Sequence, residues 1–324
     1  MNEMKRKPEL IAEMIREAQT IAVVSHVNPD GDTLACATAM RLGLLKLGKE
    51  VFLFCDGKIP DQLDFLPGAE LFRIPEGNEG PFDLMLAVDV SDEKRLGACA
   101  ALRKASRKTA QIDHHPTNPL YMDANSVDGK APAASLLIRE QLRELGVELD
   151  RDLAICLYTG ISTDTGNFAF SGTNEECFRV MSELMEHDLP LAKLNRILFR
   201  EKSREQIRLL GKAISGLEFR GNGKIAVMKL TLKDFEDCGA GNEHADTLVD
   251  YALYTIGTEM AVFVREAGNG QVKFSLRSKE IPISDVAQHF GGGGHPLASG
   301  ITMNGGLEET LKRVLQKLEE KVKA

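Results

Sequence analysis

Residues 20–48 read TIAVVSHVNPDGDTLACATAMRLGLLKLG, and this stretch decides the fold. It opens with a short apolar, β-branched run, which predicts a buried strand. A polar loop containing glycine follows, and an apolar pattern from Thr33 to Leu47 then predicts a helix. A strand that leads into a helix is the first half of a βαβ unit. The stretch therefore indicates an α/β fold with a parallel sheet.

The rest of the first half repeats this alternation. Further strands are predicted at EVFLFC (50–55), DLMLAVDV (83–90) and AQIDHH (110–115), and further helices over Ala131–Leu145 and Asp152–Ile161. Continuous apolar strands between helices are typical of a doubly wound, mainly parallel sheet that is covered on both faces. Ligands of such sheets bind outside the carboxyl ends of the strands.

The pattern changes in the second half of the chain. A highly charged helical pattern over Lys193–Ile214 predicts a helical connector, and Gly-Asn-Gly at 221–223 and 268–270 predicts the turns of two hairpins. An amphipathic helix over Leu307–Val322 closes the chain. We expect a smaller α+β domain with a mixed sheet. The predicted organisation is a first domain at 1–190, a helical connector at 191–214 and a second domain at 215–324.

Composition excludes several classes of protein. The 324 residues are 43% hydrophobic and 27% charged, which is typical of a globular chain and not of a disordered or membrane-embedded one. The net charge of −8 argues against binding to long duplex nucleic acid through bulk electrostatics. Aromatic residues make up only 6% of the chain and there is no tryptophan, so an extensive base-stacking surface is not expected.

The cysteines and the N-terminal segment indicate a compartment. None of the six cysteines forms a Cys-x-x-Cys pair, and most lie in apolar runs, which predicts buried, reduced thiols. The N-terminal segment lacks the apolar core of a signal peptide, and no apolar run approaches the length needed to span a bilayer. We therefore expect a cytoplasmic protein without a membrane partner.

Four short segments combine aspartate and histidine at predicted strand or helix ends. Alone, each has an ordinary structural reading, because an aspartate after a strand usually forms a turn or caps a helix. Together they are harder to explain, because Asp89 follows a buried apolar run, and because Asp30 and Asp32 lie two residues apart, where a cation would lower the cost of ionising both. The segments are SHVNPDGD (His26, Asp30, Asp32), AVDVSD (Asp89), IDHHPTN (Asp113, His114, His115) and GISTDTGNF (Asp164).

The residue types in these segments indicate a kind of metal. Imidazole nitrogens with several carboxylates suit Mn²⁺ or a similar first-row cation, and the absence of cysteine from the segments disfavours structural zinc. Two such cations, roughly 3.5–4 Å apart, can activate a water and stabilise both ends of a phosphoryl displacement. Two divalent ions would also balance the four carboxylates of Asp30, Asp32, Asp89 and Asp164.

In this order, the four segments resemble the motifs of the DHH phosphoesterase superfamily, which is named for the triplet Asp113-His114-His115. The segment HFGGGGHPLASG (289–300) resembles the signature of the C-terminal domain associated with that superfamily. The total length, with a short connector and no added domain, is similar to the branch of bifunctional oligoribonucleases and pAp phosphatases.

The resemblance implies roles for individual residues. His115 would contact the scissile phosphate as a catalytic group, and Asp113 would orient an imidazole ring. Arg277, on the polar face of a predicted strand, would bind a nucleotide or terminal phosphate, which suits the planar guanidinium. The metal ligands would be His26 and Asp30 at one ion, Asp32, His114 and Asp164 at a second ion, and Asp89 between the two. The other substrate contacts would be Ser275, Gly293, Gly294 and His295.

The resemblance also implies an activity. It predicts a Mn²⁺-dependent phosphodiesterase and phosphatase, with Mg²⁺ or Co²⁺ as other candidate metals. The enzyme would degrade very short RNA or DNA oligonucleotides to mononucleotides, and would convert pAp (3′-phosphoadenosine 5′-phosphate) to AMP by the attack of an activated water on phosphorus. A homodimer is a further implication. The alternatives are a phosphodiesterase for linear (pApA, pGpG) or cyclic dinucleotides, and a non-catalytic nucleotide sensor, which the complete set of predicted ligands disfavours.

Overall fold

The structure is a computed structural model that describes residues 7–245 and 247–323, and the chain divides into two units between Glu201 and Lys202. The strands of the first unit are β1 (Thr20–Val24), β2 (Glu50–Phe54), β3 (Phe82–Val88), β4 (Ser106–Asp113) and β5 (Ala124–Val127). Its helices are α1 (Pro8–Glu17), α2 (Gly31–Lys46), α3 (Ala134–Glu144), α4 (Arg151–Asp164), α5 (Glu175–Met185) and α6 (Leu191–Asn195), with a π-helical turn at Arg196–Arg200. Short 3₁₀ segments lie at Asp61–Leu63, Ala69–Leu71 and Glu93–Arg103.

The first unit is built on a five-stranded parallel sheet with the strand order β2-β1-β3-β4-β5, which confirms the predicted fold class. Alternate side chains of β1 lie on the two faces of the sheet. Ile21 and Val23 pack into the cluster formed with α1 to α5, while Ala22 and Val24 pack with Leu96 and the rest of the Glu93–Arg103 segment. The sheet is therefore covered on both faces, by α-helices on one and mainly by 3₁₀ helix on the other.

Most predicted elements of this unit appear with shifted ends. Helix α2 begins at Gly31, because Asp30 caps it through a hydrogen bond from the Thr33 amide (3.2 Å). Strand β4 begins at Ser106, before the predicted 110–115 run. The sequence analysis did not predict β5, α5 or the three 3₁₀ segments. Strand β5 is only four residues long, and α5 buries a helical stripe that includes Cys177 and Val180.

The second unit carries the mixed sheet that the sequence predicted. Its strand order is β10-β11-β9-β8-β7-β6, in which β7 and β8 are parallel and the other neighbours are antiparallel. The strands are β6 (Glu218–Arg220), β7 (Ile225–Leu230), β8 (Met260–Gly268), β9 (Gln271–Ser278), β10 (Gly293–His295) and β11 (Ala298–Asn304). The helices are α7 (Arg204–Ser215), α8 (Leu232–Cys238), α9 (Leu248–Leu253), α10 (Ser284–His289) and α11 (Leu307–Lys323), with a 3₁₀ turn at Asn242–Ala245.

Both predicted hairpins are present, as β6–β7 and β8–β9. Their Gly-Asn-Gly turns place Asn222 (φ 54°) and Asn269 (φ 50°) in the left-handed region that such tight turns require. The charged pattern over Lys193–Ile214 is helical but not continuous, because an extended Glu201 and the capping residue Ser203 separate the π-helical turn from α7. The predicted connector is thus shared between the two units.

Two apolar clusters cover the two faces of the second sheet. Val272, Phe274 and Leu276 of β9 pack towards α10 and α11, as the alternating pattern predicted. The opposite face packs against α7, α8 and α9 through residues that include Ala261 and Phe263 of β8. Because Arg277 pairs with Ala261 and Ser275 with Phe263, both β9 side chains lie on this second face.

Candidate metal centre

The aspartate and histidine side chains of the first unit meet at the carboxyl edge of the parallel sheet. Asp89 directly follows β3, Asp113 ends β4, and His26 lies two residues beyond β1. Asp30 and Asp32 lie at the N-terminus of α2, which β1 feeds, and Asp164 is the last residue of α4. Residues as far apart in sequence as His26 and Asp164, 138 positions from each other, therefore lie in one site, because parallel strands end at the same edge of a sheet.

Asp89 is the centre of this arrangement. It is buried, and its backbone adopts a left-handed φ of 57°, held by a hydrogen bond from its amide to the Ile112 carbonyl (2.9 Å). Its Oδ1 atom accepts no hydrogen bond within the described chain, although it lies 3.4 Å from His114 Nε2 and 3.6 Å from His115 Nδ1. Burial and the neighbouring carboxylates raise the pKa of Asp89 well above its usual range. A buried carboxylate oxygen with no hydrogen bond is the kind of atom that a metal ion would satisfy.

Two triads share this neighbourhood. In each triad the candidate donor atoms lie within 4.8 Å of one another. One consists of His26, Asp30 and Asp89, with His26 Nε2 lying 3.4 Å from Asp30 Oδ2 and 3.7 Å from Asp89 Oδ2. The other consists of Asp32, His114 and Asp164, with His114 Nε2 lying 3.1 Å from Asp164 Oδ2. A further grouping of Asp89, His114 and His115 overlaps them.

The two imidazoles of the triads are oriented by backbone carbonyls. His26 Nδ1 donates to the carbonyl oxygen of Val27 (2.8 Å), and His114 Nδ1 donates to that of Ala131 (3.0 Å). Each ring therefore turns Nε2 towards the carboxylates. Burial alone would lower the pKa of His114, but the hydrogen bond to Asp164 and the charge of Asp32 raise it to about 9. The surroundings of this ring thus favour a positive charge at Nε2.

Asp32 is held by the N-terminal turn of α3. Its carboxylate accepts hydrogen bonds from the amides of Ala134 (2.6 Å) and Ser135 (3.1 Å) and from the Ser135 hydroxyl. Burial and the charge of Asp164 nevertheless raise the pKa of Asp32 to about 7. The Cys36 thiol also donates to Asp32 (3.4 Å), and burial raises the pKa of that thiol well above its usual range, so it does not supply a thiolate ligand.

His115 belongs to a separate hydrogen-bonded chain. Its Nδ1 donates to Asp113 Oδ1 (2.8 Å), and the other Asp113 oxygen accepts from Asn118 Nδ2 (2.6 Å). Asn118 is fixed in turn by Gln111, whose Nε2 donates to Asn118 Oδ1 (3.1 Å). Asp113 is fully buried, whereas 27% of the His115 side chain is exposed. The chain therefore runs from the core to a ring that faces solvent.

The donor set fits divalent cations. Among the described residues, the two triads combine two imidazole nitrogens with four carboxylates and include no cysteine. One of their buried oxygens, Asp89 Oδ1, accepts no hydrogen bond. Nitrogen and carboxylate oxygen suit Mn²⁺ and its neighbours. Two divalent ions would balance the charge of the four carboxylates.

The predicted substrate residues come together on the sheet of the second unit. Arg277 pairs with Ala298, which pairs with His295, so these residues form a row across β9, β11 and β10. Ser275, Gly300 and Gly293 form the next row on the same face, whereas Gly294 pairs with Ser299 in the row between them. The latter part of the glycine run is therefore an edge strand, and not a free loop. Arg277 Nε lies 3.4 Å from Asp250 Oδ1, which fixes the guanidinium at one side.

Several residues of the site escaped the sequence analysis. Ser135 holds Asp32, the Ala131 carbonyl orients His114, and Asn118 holds Asp113. Asn118 lies within the segment IDHHPTN, so its position close to the histidines was a usable signal. Ser135 and Ala131 have no such signal, because they reach the site only through the placement of α3 and the loop before it.

A cluster of histidine and aspartate at the carboxyl edge of a parallel sheet, with donors that suit divalent cations, is an arrangement that hydrolytic metalloenzymes use. Comparisons with known proteins refine this class. Residues 20–161 match the DHH family N-terminal domain, and residues 222–324 match the DHHA1 domain. The chain belongs to the DHH family of phosphoesterases, with a DHHA1 domain as its second part, and it is a hydrolase.

Individual relatives extend over nearly the whole chain. A "Bifunctional oligoribonuclease and PAP phosphatase NrnA" of Thermus thermophilus is 33% identical over 98% of this chain and 94% of its own. A protein of the same name from Bacillus subtilis is 29% identical over 92% and 93%. An exopolyphosphatase-related protein from Bacteroides fragilis shares the fold, with a TM-score of 0.91 over 98% and 97% of the chains at 24% identity.

Two further expectations concern the compartment. The six cysteines are free and buried, as predicted. Within residues 7–245 and 247–323, no helix is long and apolar enough to cross a membrane.

Proposed function

We propose that this enzyme hydrolyses very short oligonucleotides to mononucleotides and removes the 3′-phosphate from pAp. The observation that carries the proposal is the pair of neighbouring triads: Asp89 belongs to one of them, and its unpaired buried Oδ1 lies 3.4 Å from His114 of the other. The names of the relatives supply the substrate class, and the Thermus protein covers nearly the entire chain at 33% identity. The acidic net charge of −8 agrees with a short substrate and not a long duplex.

The two triads provide the proposed metal ligands. His26 and Asp30 would hold one ion and Asp89 would bridge to a second, while Asp32, His114 and Asp164 would complete the second site. Mn²⁺ is the metal we propose, with Mg²⁺ and Co²⁺ as the other candidates, because the donors are imidazoles and carboxylates. When bound, such cations lower the pKa of a water molecule and neutralise phosphate charge.

The remaining steps belong to residues of the chain. Asp113 accepts the Nδ1–H of His115, so that, when the ring is protonated, its Nε2–H would face a phosphate oxygen or pass a proton to the leaving oxygen. Asn118 keeps Asp113 in place for this role. On the second unit, Arg277, Ser275 and His295 would bind the nucleotide, with the backbone of Gly293 and Gly294 allowing close approach.

The decisive experiment is hydrolysis of a 5′-phosphorylated RNA dinucleotide and of pAp, each with Mn²⁺ and with chelator. We expect mononucleotides and AMP only when metal is present. Asp89→Asn should reduce both activities by more than about 100-fold, because it removes the proposed bridging charge. The exposed Asp64→Asn serves as a matched control of equal charge change and should behave as the wild type.

Three outcomes would contradict the proposal in different ways. Hydrolysis that persists in chelator would rule out the metal. Full activity of Asp89→Asn would show that the site is assigned wrongly. Failure on both substrates, with metal bound, would direct the search to pApA, pGpG, cyclic dinucleotides or a sensing role.

We also propose that the protein is cytoplasmic and forms a homodimer. The six free, buried thiols support a reducing compartment. Light scattering of the purified chain tests the dimer, which would be rejected by a monomeric mass at micromolar concentration.

A further inference from the structure

Two tyrosines form an exposed aromatic surface on the second unit. Tyr251 lies on α9 and Tyr254 follows its end, and their rings stand 5.8 Å apart at 63°. Tyr254 is 72% exposed, and the nearby Ile256 is 99% exposed. The chain contains only four tyrosines and no tryptophan, so half of its tyrosines lie here. Folding leaves this apolar surface in contact with water, which is a cost that a ligand could offset.

This surface lies beside Arg277. Asp250, one helical turn before Tyr254, places Oδ1 3.4 Å from Arg277 Nε, and the Tyr254 amide donates to the Asp250 carbonyl (3.1 Å). Burial, followed by the charges of Asp250 and Tyr251, raises the pKa of Tyr254. Arg277 Nη1 also donates to the Leu276 carbonyl (3.0 Å), so the guanidinium is held at two points.

The edge of the sheet next to these groups is exposed at Gly293 and Gly300. Helix α9 packs on β8 and β9, on the face that carries Arg277 and Ser275. The neighbouring strands β11 and β10 continue this face with small residues, Ala298, Gly300 and Gly293. A cation and a row of small residues thus share one face of the sheet, and the exposed aromatic rings belong to the helix that packs on that face. This combination is typical of sites that hold a phosphate and stack the base attached to it.

We propose that Tyr254, supported by Tyr251, stacks on a nucleobase of the short oligonucleotide whose phosphate Arg277 binds. The inference rests on the proposed function, because it takes a nucleotide as the substrate. It adds a specificity-determining residue. Stacking tolerates any base, since every base has a π-face, but it rejects phosphate compounds that have no base. The tyrosines would therefore make the enzyme prefer nucleotides without selecting a sequence.

The test compares the intact 5′-phosphorylated dinucleotide with two analogues, each lacking one base, using the full chain in Mn²⁺. For Tyr254→Leu we expect KM to rise about tenfold on the intact dinucleotide, with little change in kcat, because one base stack is lost. On the analogue that lacks the stacked base, wild type and variant should have the same KM. Tyr254→Phe retains the ring and should restore the low KM.

Phe219→Leu is the matched control, because Phe219 is a 45% exposed aromatic residue on β6, at the opposite edge of the same sheet. It should leave KM unchanged. The inference is overturned if Tyr254→Leu has no effect, or if it raises KM equally for the intact and both abasic substrates, since the ring would then act only on structure.

A binding measurement separates this inference from the proposed function. Quenching of dinucleotides that carry 2-aminopurine at either position is recorded in chelator, without turnover. Quenching that is present in the wild type and lost in Tyr254→Leu supports stacking even if no hydrolysis is found. Absence of quenching in the wild type at both positions overturns the inference even if the dinucleotide is cleaved.

Discussion

At the scale of single residues, Asn118 fixes the orientation of His115 without reaching the phosphate itself. It donates to Asp113 Oδ2 at 2.6 Å, and Asp113 Oδ1 accepts the ring proton at 2.8 Å. Asn118→Ala should lower kcat on the dinucleotide about 10- to 100-fold, because partners that orient such groups have effects of that size. The loss should be smaller than that of His115→Ala.

Steady-state kinetics of Asn118→Ala, His115→Ala and the double variant test this order. We expect the double variant to be no worse than His115→Ala, because the two residues act through the same ring. Additive losses would contradict a shared role. They would instead show that Asn118 acts on another part of the site.

At the scale of elements, α2 and α4 approach so closely that only glycine fits between them. A methyl group on Gly160 of α4 would overlap Ser135 Oγ and Asp32 Oδ1. Gly160→Ala should therefore displace the carboxylate, destabilise the fold by about 1–3 kcal/mol and reduce Mn²⁺-dependent activity. Gly211→Ala is the matched control, because nothing lies within 4 Å of a methyl group at that helical position. It should stabilise the chain by about 0.5–1 kcal/mol.

Urea unfolding of both glycine variants, with the activity of each, tests this packing. If Gly160→Ala unfolded like the wild type and kept its activity, the helices would be able to move apart and accommodate a methyl group at position 160. The close approach would then not be what holds Asp32 in place.

An ion pair joins α3 to α5 and introduces a dependence on pH. Arg139 Nε donates to Glu183 Oε2 (3.0 Å), and Arg139 also bonds Glu183 Oε1. These bonds and the arginine charge lower the pKa of Glu183. A carboxyl group whose pKa is lower in the folded state stabilises the fold above its unfolded pKa, and this contribution disappears as pH falls.

Glu183→Gln should therefore be less stable than the wild type at pH 7, by about 1 kcal/mol, and the difference should shrink as the pH falls below about 4. Thermal unfolding of both proteins between pH 3 and pH 8 measures this change. The interval includes the ordinary glutamate pKa of about 4.3. Glu176→Gln, which breaks the more exposed pair with Arg179, is the control and should show a smaller difference. A constant difference across the range would contradict the role of the charge.

At the scale of the whole molecule, all six proposed metal ligands belong to the first unit. Mn²⁺ should therefore slow hydrogen exchange of residues 20–164, where the ligands lie, by up to about 100-fold at a hundred times its Kd, and leave residues 202–324 unchanged. Exchange measured by mass spectrometry with Mn²⁺ and with chelator tests this expectation. His26→Ala should reduce the protection. Equal protection of residues 202–324 would show that metal binding also stabilises the second unit.

The sequence by itself determined the fold class and the candidate ligands. Apolar strands between helices allow few arrangements other than a parallel sheet, and Asp89 and His114 stand out because they follow such strands directly. The Gly-Asn-Gly turns likewise determined both hairpins, because left-handed turns are local. Elements with weak local signals, such as the four-residue β5, were not recognised.

Only the tertiary structure decided how each group is held. Ser135 meets Asp32 across 103 residues, and α9 brings Asp250 beside Arg277. These contacts depend on which faces of packed elements meet, and that is set by the sum of many weak packing interactions, not by any local pattern. The orphan oxygen of Asp89 has the same origin, because a side chain is deprived of water and hydrogen bonds only when the surrounding elements have closed over it.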